Sequence, residues 1–360
     1  MNSGWVSTLL SWYHSNKRSM PWRDNPIPYY VWISEMMLQQ TQVATVIPYF
    51  NRFIDRFPTV EKLAEADLQD VLKCWEGLGY YSRARNLHKA AKCVVEDHQS
   101  WLPSSYEDLQ TLPGIGPYCA AAITSIAYQN PVPVVDGNVF RVFTRFWGIF
   151  DDIRLPKVRK VLFEKLSVYI KDVCPSDFNQ AIMECGALVC TPKNPSCEEC
   201  PLACDCFAKS AHKQVELPVK LKAPPTPHHT IVVGLIKHGD KVLIAKRKET
   251  QMLGGLWEFP GGKVEKGEAL EEALSREIQE EVRLTVSVGD KIGVIKHAYS
   301  HFKISMHAFW CEVESGLENL VLSKSLKWVK VSDFSDYPFP KANQKLFDCL
   351  SFSSQKMSTK

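Results

Sequence analysis

The sequence predicts two domains, an all-α domain followed by a smaller α+β domain. Within residues 1–215, apolar side chains recur at helical spacing, as in the stripe over 68–75. Residues 216–229 are rich in proline and lack such a pattern, which is typical of a stiff, extended linker. After the linker the period changes to that of strands, beginning with 230–236. We therefore expect a helical domain over 1–215, a linker over 216–229 and an α+β domain over 230–360.

The composition is that of an ordinary globular protein. The chain has 360 residues, of which 45% are hydrophobic, and no apolar run is long enough to predict a membrane span. The N-terminus lacks the basic start and long apolar middle of a signal peptide, so we expect a cytoplasmic protein. The net charge is only +3, so contact with nucleic acid cannot depend on a general positive field.

The segment 112–141 carries the first functional pattern. Gly114 and Gly116, one residue apart after a proline, predict a tight turn where the backbone can approach a ligand closely. The helix that follows presents its N-terminal amides, which favour phosphate, and two prolines then keep the chain extended as far as Asp136. Each half also has a plain structural explanation, because the turn can join two helices and Asp136 can cap one.

The cysteine pattern predicts a metal centre. Twelve cysteines in an intracellular chain favour metal binding or buried thiols over disulfides. Four of them have the spacing C-x6-C-x2-C-x5-C, which suits a [4Fe–4S] cluster. Zinc is the alternative, since it also takes four cysteines, although structural zinc sites commonly pair two CxxC motifs. We predict a cluster held by Cys190, Cys197, Cys200 and Cys206, with Cys204 as a bystander.

These motifs, in this order, resemble those of the adenine DNA glycosylases, the MutY family of helix-hairpin-helix enzymes. The resemblance implies an all-α glycosylase domain with a cluster loop, then a Nudix-like α+β domain, with Gly114 and Gly116 in the hairpin that holds DNA. It covers nearly the whole chain and includes Pro21-Trp22-Arg23, residues 34–41, residues 75–87, Val135 to Arg141 and the cysteine loop.

The chemistry of adenine removal explains why two carboxylates are needed. The leaving base needs a proton and the oxocarbenium-like sugar needs nearby negative charge, which two carboxylates in different environments provide. Glu35 lies in an apolar helix predicted over residues 30–47, where burial should raise its pKa and suit a general acid. The alternative is a buried structural glutamate satisfied by a helix end. Asp136, at a helix N-terminus, should stay ionised and face the sugar.

The resemblance also implies roles for residues at positions that match functional residues of the family. Tyr118 stands where bifunctional relatives carry a lysine nucleophile, so we expect base removal without a Schiff base or strand cleavage. Tyr118 is expected to help Asp136 stabilise the sugar cation. Gln40 and Tyr80 match residues that enter the gap left by the flipped base. The implied adenine pocket contains Arg18, Trp22, Arg23, Leu38 and Gln180.

The second domain contains a pattern that resembles a Nudix box, beginning at Gly262. It departs from G-x5-E-x7-R-E-U-x-E-E-x-G-U, where U is aliphatic, in having Arg283 in place of the second glycine. Its last three glutamates, Glu277, Glu280 and Glu281, share a helix face as a Mg²⁺ site needs, although a solvated acidic helix is the plain alternative. In the family this domain recognises 8-oxoguanine opposite the adenine, and the resemblance implies that Tyr299, Ser300 and His301 do so here.

We therefore expect a monofunctional DNA repair glycosylase that removes adenine mispaired with 8-oxoguanine or guanine. Its partner would be double-stranded DNA containing that mispair, and we expect a bacterial, monomeric protein that associates with the nucleoid when on DNA. One alternative is an endonuclease III-like pyrimidine-lesion lyase, which Tyr118 disfavours. The others are a Nudix-type nucleotide diphosphatase tethered to a DNA-binding domain, and a non-catalytic, redox-sensing DNA binder.

Overall fold

The chain folds into two compact units. The computed structural model describes residues 4–221, 225–299, 302–320 and 325–357. The first unit comprises Met1–Ala66 and Arg83–Ala223, and the second comprises Asp67–Ser82 and Pro224–Lys360. The stretch Asp67–Ser82 precedes the predicted linker by more than a hundred residues, yet it belongs to the second unit. In the described part of the chain, no helix is long and apolar enough to cross a membrane.

Helices build the first unit, whereas the second unit combines a β-sheet with helices. The strands are β1 (His228–His238), β2 (Lys241–Lys246), β3 (Trp257–Glu258), β4 (Gly261–Lys263), β5 (Thr285–Ala298), β6 (Lys303–Ser315) and β7 (Leu326–Lys330). The α-helices are α1 (Gly4–Asn16), α2 (Pro21–Asp24), α3 (Pro28–Leu38), α4 (Val43–Arg56), α5 (Val60–Glu65), α6 (Leu68–Cys74), α7 (Ser82–Asp97), α8 (Tyr106–Leu109), α9 (Pro117–Tyr128), α10 (Gly137–Trp147), α11 (Pro156–Tyr169), α12 (Pro175–Leu188), α13 (Phe207–Ser210), α14 (Leu270–Val282) and α15 (Lys341–Met357). Short 3-10 turns lie at Ile170–Asp172, Ala203–Asp205, Leu317–Asn319 and Val331–Asp336.

An aromatic core joins the first helix of the first unit to its later helices. Trp5 of α1 packs edge-on against Phe143 of α10, with ring centroids 5.5 Å apart, and is also in contact with Phe178 of α12. Leu162 of α11 is fully buried in the same cluster. This packing brings α12 against both α1 and α10, and α12 carries Gln180 of the predicted pocket.

The single helix predicted over 30–47 is wrong, because the structure has two helices there. α3 ends at Leu38, and Gln40 adopts a left-handed backbone with φ of 58° before α4 begins. Arg83 of α7 terminates α3, since its buried guanidinium donates hydrogen bonds to the carbonyls of Met36, Met37 and Gln39 at 2.9, 2.8 and 2.6 Å. These are among the carbonyls that a helix end leaves without partners, and Arg83 satisfies them.

The predicted turn over 112–116 is present, and it leads directly into α9. Gly114 has a φ of +81°, and a side chain there would meet Asn86 Cβ at 2.6 Å, so the position requires glycine. Gly116 is extended at the N-cap of α9, and Pro117 starts the helix at its first position. Downstream, the side chain of Asp136 caps α10 by accepting from the amide of Val139 at 2.8 Å.

A seven-stranded sheet lies between two helices in the second unit. The strand order is β3-β2-β1-β6-β5, with β4 also pairing with β1 and β7 with β2, and β1 and β6 run parallel. Alternation along β1 sends Val232 and Ile236 to the face covered by α14, and Leu235 to the face covered by α15. Strand β5 was absent from our sequence prediction, because Gly289 and Gly293 interrupt its alternation at the bulges where its pairing with β6 shifts.

The predicted linker is only partly a free connection. Leu217 is buried, and its carbonyl accepts a hydrogen bond from Arg145 at 2.9 Å. The carbonyl of Val219 accepts from the amide of Ile153 at 3.1 Å. The first residues of 216–229 are therefore held within the first unit, and the last two already form the start of β1.

Candidate active site and DNA-binding elements

Glu35 lies in the buried middle of α3 and receives a hydrogen bond from Tyr118. The glutamate is 4% exposed, and the Tyr118 hydroxyl at the start of α9 donates to Glu35 Oε2 at 2.6 Å. The two helices are packed together, so α9 delivers the tyrosine directly to the carboxyl group. The resemblance associates Tyr118 with Asp136, and it does not indicate the contact of Tyr118 with Glu35. The partner of the buried glutamate is thus a phenol.

Burial gives Glu35 the protonation behaviour expected of a general acid. Removal from water raises its pKa from 4.5 to about 7, the hydrogen bond from Tyr118 opposes the rise, the charge of Asp136 adds to it and Arg23 opposes it. Burial also raises the pKa of Tyr118 well above its usual value, so the phenol remains a hydrogen-bond donor. Near neutral pH a substantial fraction of Glu35 therefore carries the proton that acid catalysis needs.

Asp136 has a more polar environment than Glu35. Besides the Val139 amide, the side-chain amide of Asn138 donates to Asp136 Oδ2 at 2.8 Å. Burial raises the pKa of the Asp136 carboxyl, while these two donors and the charge of Arg141 oppose the rise. Donors aimed at both carboxylate oxygens favour the ionised form. Asp136 is therefore both the helix cap of the plain explanation and a carboxylate close enough to act electrostatically on Glu35.

Most of the predicted adenine-pocket residues meet around Glu184, a residue that was not predicted from the sequence. Arg18 donates to Glu184 through Nε at 2.7 Å and Nη2 at 2.9 Å, and Arg23 donates to the same carboxylate through Nη2 at 3.2 Å. Arg23 Nε also donates to Gln180 Oε1 at 2.7 Å. Although burial acts to raise it, the hydrogen bonds from the two arginines lower the pKa of Glu184 to about 2. One carboxylate thus organises three of the five predicted residues.

The remaining predicted residues of this region are more dispersed. Trp22 is buried and packs edge-on against Phe50, with ring centroids 5.1 Å apart. Leu38 is partly exposed at the end of α3, and Gln40 is exposed in the break that follows. Tyr80 belongs to the second compact unit, where it is partly exposed and has a left-handed backbone with φ of 49°.

The four cysteines of the predicted metal loop line one cavity. Cys190, Cys197, Cys200 and Cys206 are partly buried free thiols around it, whereas Cys204 is exposed. Arg145 and Lys209 also line the cavity, and Arg145 Nη1 lies 3.3 Å from Cys190 Sγ. Four thiols with adjacent cations match the donor set and the negative charge of a thiolate-bound cluster. Among the described residues, no group of three or more His, Cys, Asp or Glu side chains is arranged to hold a single metal ion.

A chain of hydrogen bonds runs from Asp136 to the cysteine loop. Arg141 Nη2 donates to the Asn138 side-chain oxygen at 2.7 Å, and Asn138 in turn donates to Asp136. Arg141 Nε donates to the carbonyl of Cys190 at 2.6 Å. The start of α10 and the beginning of the loop are therefore held together by one guanidinium.

In the Nudix-like pattern, basic side chains and backbone engage several of the carboxylates. Arg276 donates to Glu268 at 2.8 Å and to Glu277 at 3.1 Å, and Glu281 Oε2 accepts from the amide of Gly261 at 3.1 Å. Arg283 occupies the glycine position of the motif with a left-handed φ of 58°, ending α14. A non-glycine residue is strained there, at a cost on the order of 1 kcal/mol.

The predicted lesion-recognition loop is described only at its first residue. Tyr299 is partly buried, and its amide donates to the carbonyl of Phe302 at 2.8 Å. Its ring packs against His297 and Phe302, with centroids 4.6 and 4.9 Å away. Ser300 and His301 lie outside the described residues.

Comparison with known proteins identifies the class to which this fold and site belong. Residues 33–167 match the family described as HhH-GPD superfamily base excision DNA repair protein, and residues 231–349 match the NUDIX domain. A solved structure of a thermostable thymine-DNA glycosylase is similar, with a TM-score of 0.53 and 26% identity over 58% of this chain and 96% of that one. The class is therefore a helix-hairpin-helix base excision repair protein that carries a second, Nudix-like domain.

Curated relatives define the family within this class. The adenine DNA glycosylase of Buchnera aphidicola (subspecies Schizaphis graminum) is 34% identical over 94% of this chain and 96% of its own length. The human adenine DNA glycosylase is 33% identical over 94% of this chain and 72% of its length. This chain belongs to the adenine DNA glycosylase family. Both the resemblance and the two-part fold class predicted from the sequence are confirmed.

The raised pKa of Glu35 predicts a pH-dependent change in stability. A folded-state pKa of about 7 lies above the value of 4.5 in the unfolded chain, so the folded state loses stability as pH rises through 7. Glu35→Gln removes this penalty, and the variant should be more stable than wild type at pH 8, by up to roughly 3 kcal/mol, but not at pH 4. Urea denaturation, monitored by the circular dichroism signal of the helices, measures the difference. Glu164→Gln, at an exposed position, is the control. An equal difference in the free energy of unfolding at both pH values would show that burial does not shift the pKa of Glu35.

Proposed function

We propose that this protein hydrolyses the N-glycosidic bond of adenine in double-stranded DNA, with Glu35 as general acid. The observation that carries the proposal is the buried Glu35 carboxyl, whose pKa is raised to about 7 and which lies within the field of Asp136. Two carboxylates with different environments are what acid-assisted departure of a base from a sugar needs. Membership of the adenine DNA glycosylase family supports adenine as the base.

The proposed reaction assigns one task to each carboxylate. The adenine leaves the base stack and enters the pocket near Glu35, since a buried acid cannot reach a stacked base. Glu35 gives its proton to a ring nitrogen as the bond between C1′ and the base breaks, and the bonding electron pair leaves with adenine. Asp136, ionised, stabilises the positive charge left on the sugar. Water then adds to C1′, and its proton is released, giving an abasic site.

Tyr118 supports a reaction without a covalent intermediate. A lyase needs an amine to form a Schiff base with C1′, and the position that a lysine would occupy holds this tyrosine. The hydroxyl of Tyr118 instead donates to Glu35 at 2.6 Å. We propose that it holds the acid in place and, with Asp136, borders the sugar. Strand cleavage is not part of the proposed activity.

Loss of either carboxyl should strongly slow adenine release without preventing DNA binding. Glu35→Gln removes the transferable proton, and Asp136→Asn removes the negative charge while keeping the size of the side chain. Each should reduce the single-turnover rate by roughly 10²-fold to 10⁴-fold. Release of free adenine from a duplex with adenine opposite 8-oxoguanine measures the rate, and gel shift measures binding. Glu164→Gln is the control, and a Glu35→Gln variant with more than about a tenth of the wild-type rate would contradict the assignment.

We propose that the second unit recognises 8-oxoguanine opposite the adenine, through Tyr299, Ser300 and His301. The support is the resemblance of this loop to the family motif and the match of residues 231–349 to the NUDIX domain. A serine hydroxyl and an imidazole can both accept a hydrogen bond from the N7–H that distinguishes 8-oxoguanine from guanine.

Changing Ser300 and His301 together to alanine should impair recognition and leave the chemistry intact. The two lost polar contacts correspond to about 1–3 kcal/mol, so affinity for adenine opposite 8-oxoguanine should fall roughly 5-fold to 150-fold, towards that for adenine opposite guanine. The rate with bound substrate should remain within about tenfold of wild type. Ser287→Ala, at an exposed position on β5, is the control. An unchanged preference for 8-oxoguanine would assign recognition to another part of the chain.

We further propose that Cys190, Cys197, Cys200 and Cys206 hold a [4Fe–4S] cluster. The support is their spacing and their position around one cavity that Arg145 and Lys209 also line. With four protein ligands, a cluster would have no open corner for substrate, so its contribution would be to brace the loop. The residues of this chain that transfer the proton and stabilise the sugar remain Glu35 and Asp136.

The exposed Cys204 provides a matched control for the cluster proposal. Cys200→Ser should lose the bound iron and visible absorption and most of its soluble yield, whereas Cys204→Ser should retain them. Iron, sulfide and zinc analysis of protein expressed with ample iron measures the outcome. Stoichiometric zinc in wild type, or full iron content in Cys200→Ser, would contradict the proposal.

A further inference from the structure

Glu184 is a buried carboxylate between the two arginines of the predicted adenine pocket. Its side chain is 2% exposed, and it accepts hydrogen bonds from the Arg18 amide at 3.0 Å, from both ends of the Arg18 guanidinium and from Arg23. Arg18 precedes α2 and Arg23 lies within it, while Glu184 projects from α12, far along the chain. A buried acid with this many charge-assisted bonds fixes the arrangement of its partners.

Arg23 transmits this arrangement to the rest of the pocket. Its side chain is 10% exposed, and it donates to Gln180 Oε1 at 2.7 Å and to the carbonyl of Arg18 at 2.8 Å. Gln180 is also held from its other end, because its amide nitrogen donates to Ser176 Oγ at 2.9 Å. Glu184 lies one helical turn after Gln180, so the same face of α12 supplies both residues.

The charge of Arg23 also acts on Glu35. The titratable and charged groups that face Glu35 are Tyr118 and the Cys119 thiol from α9, Asp136 from the start of α10, and Arg23 from α2. Helix α4, which also packs on α3, presents buried apolar side chains such as Phe50 and Phe53, and its own charged residues are exposed. Arg23 is therefore the cation in this set, and Glu184 is the anion that pairs with it.

We propose that Glu184 is a positioning residue of the active site, which fixes Arg18 and Arg23 and pairs with the charge of Arg23 that acts on Glu35. Without the carboxylate, two guanidinium ions would lose their common anchor, and Arg23 would act on Glu35 as an unbalanced cation. Without Arg23, Glu184 would still pair with Arg18, and Glu35 would lose the cation that favours its ionised form. The proposal rests on the proposed function, because it requires Glu35 to act as the acid.

Single-turnover adenine release across a range of pH tests the proposal through two variants with opposite expected effects. The full-length protein, in excess over a duplex with adenine opposite 8-oxoguanine, is compared with Glu184→Gln, Arg23→Gln and the double variant. In Glu184→Gln the unbalanced cation favours ionised Glu35. The alkaline limb of the pH–rate profile should therefore move about one pH unit to lower pH. The plateau rate should fall roughly 10-fold to 100-fold as the pocket loses its geometry.

Arg23→Gln should move the same limb to higher pH, because Glu35 loses the nearby cation that favours its ionised form. The double variant should return the limb close to wild type while its rate stays low, since removing one charge of each sign leaves the net charge of the cluster unchanged and the geometry is still lost. Asp177→Asn is the control, because Asp177 lies on the same helix and pairs only with His14 among the described salt bridges. This variant should change neither the position of the limb nor the plateau rate. A purely structural role of Glu184 would lower the amount of active protein without moving the limb.

The outcomes separate this inference from the proposed function. If Glu35→Gln keeps its activity, the proposed function fails regardless of Glu184. If Glu35→Gln is inactive but the limb does not move in opposite directions in the two charge variants, only the role of Glu184 is overturned. If Glu184→Gln does not fold, Arg23→Gln alone decides, since a limb that stays at its wild-type position or moves to lower pH contradicts the charge balance.

Discussion

A buried carboxylic acid on helix α3, that of Glu35, constrains the architecture of the first unit. Glu35 is almost inaccessible to water, and an ionised carboxylate there would be costly, so the environment favours the protonated form. The Tyr118 hydroxyl supplies a hydrogen bond without bringing a charge, which a lysine or arginine would have done. The hairpin starts α9 at Pro117, and the helix start places Tyr118 at the carboxyl group. The glycine turn and the buried acid are thus joined by one helix terminus.

Around this acid, charges occur in compensated sets. Burial raises the pKa of both carboxyl groups, but Asp136 has two amide donors on its two oxygens, which oppose the effect of burial and favour the ionised form. Arg23, close enough to lower the pKa of Glu35, is itself paired with buried Glu184. Burial is the main cause of the raised pKa of Glu35, and the charges of Asp136 and Arg23 act on that pKa in opposite directions. The same arginine network fixes Gln180, so acid strength and pocket geometry depend on shared contacts.

The sequence was informative where a local pattern carries the chemistry, and uninformative where the chain makes distant contacts. The turn at Gly114, the N-cap at Asp136 and the apolar surroundings of Glu35 are local, and all three were predicted. The break after α3 was missed because its cap, Arg83, comes from another helix. The grouping of Asp67–Ser82 with the second unit is a tertiary property that no local pattern contains. Glu184 could have been found, since it is a lone acid in an apolar helical stretch, the same signal that indicated Glu35.

The most direct test of the account is a three-product assay of the wild-type protein on a duplex with adenine opposite 8-oxoguanine. Free adenine, strand nicking and covalent trapping by borohydride are measured in the same reaction. Acid-assisted hydrolysis by Glu35, with Tyr118 in the lyase-lysine position, predicts free adenine with an intact strand and no trapped complex. Strong trapping with strand cleavage, or the absence of adenine release by protein that binds the duplex, would contradict the account.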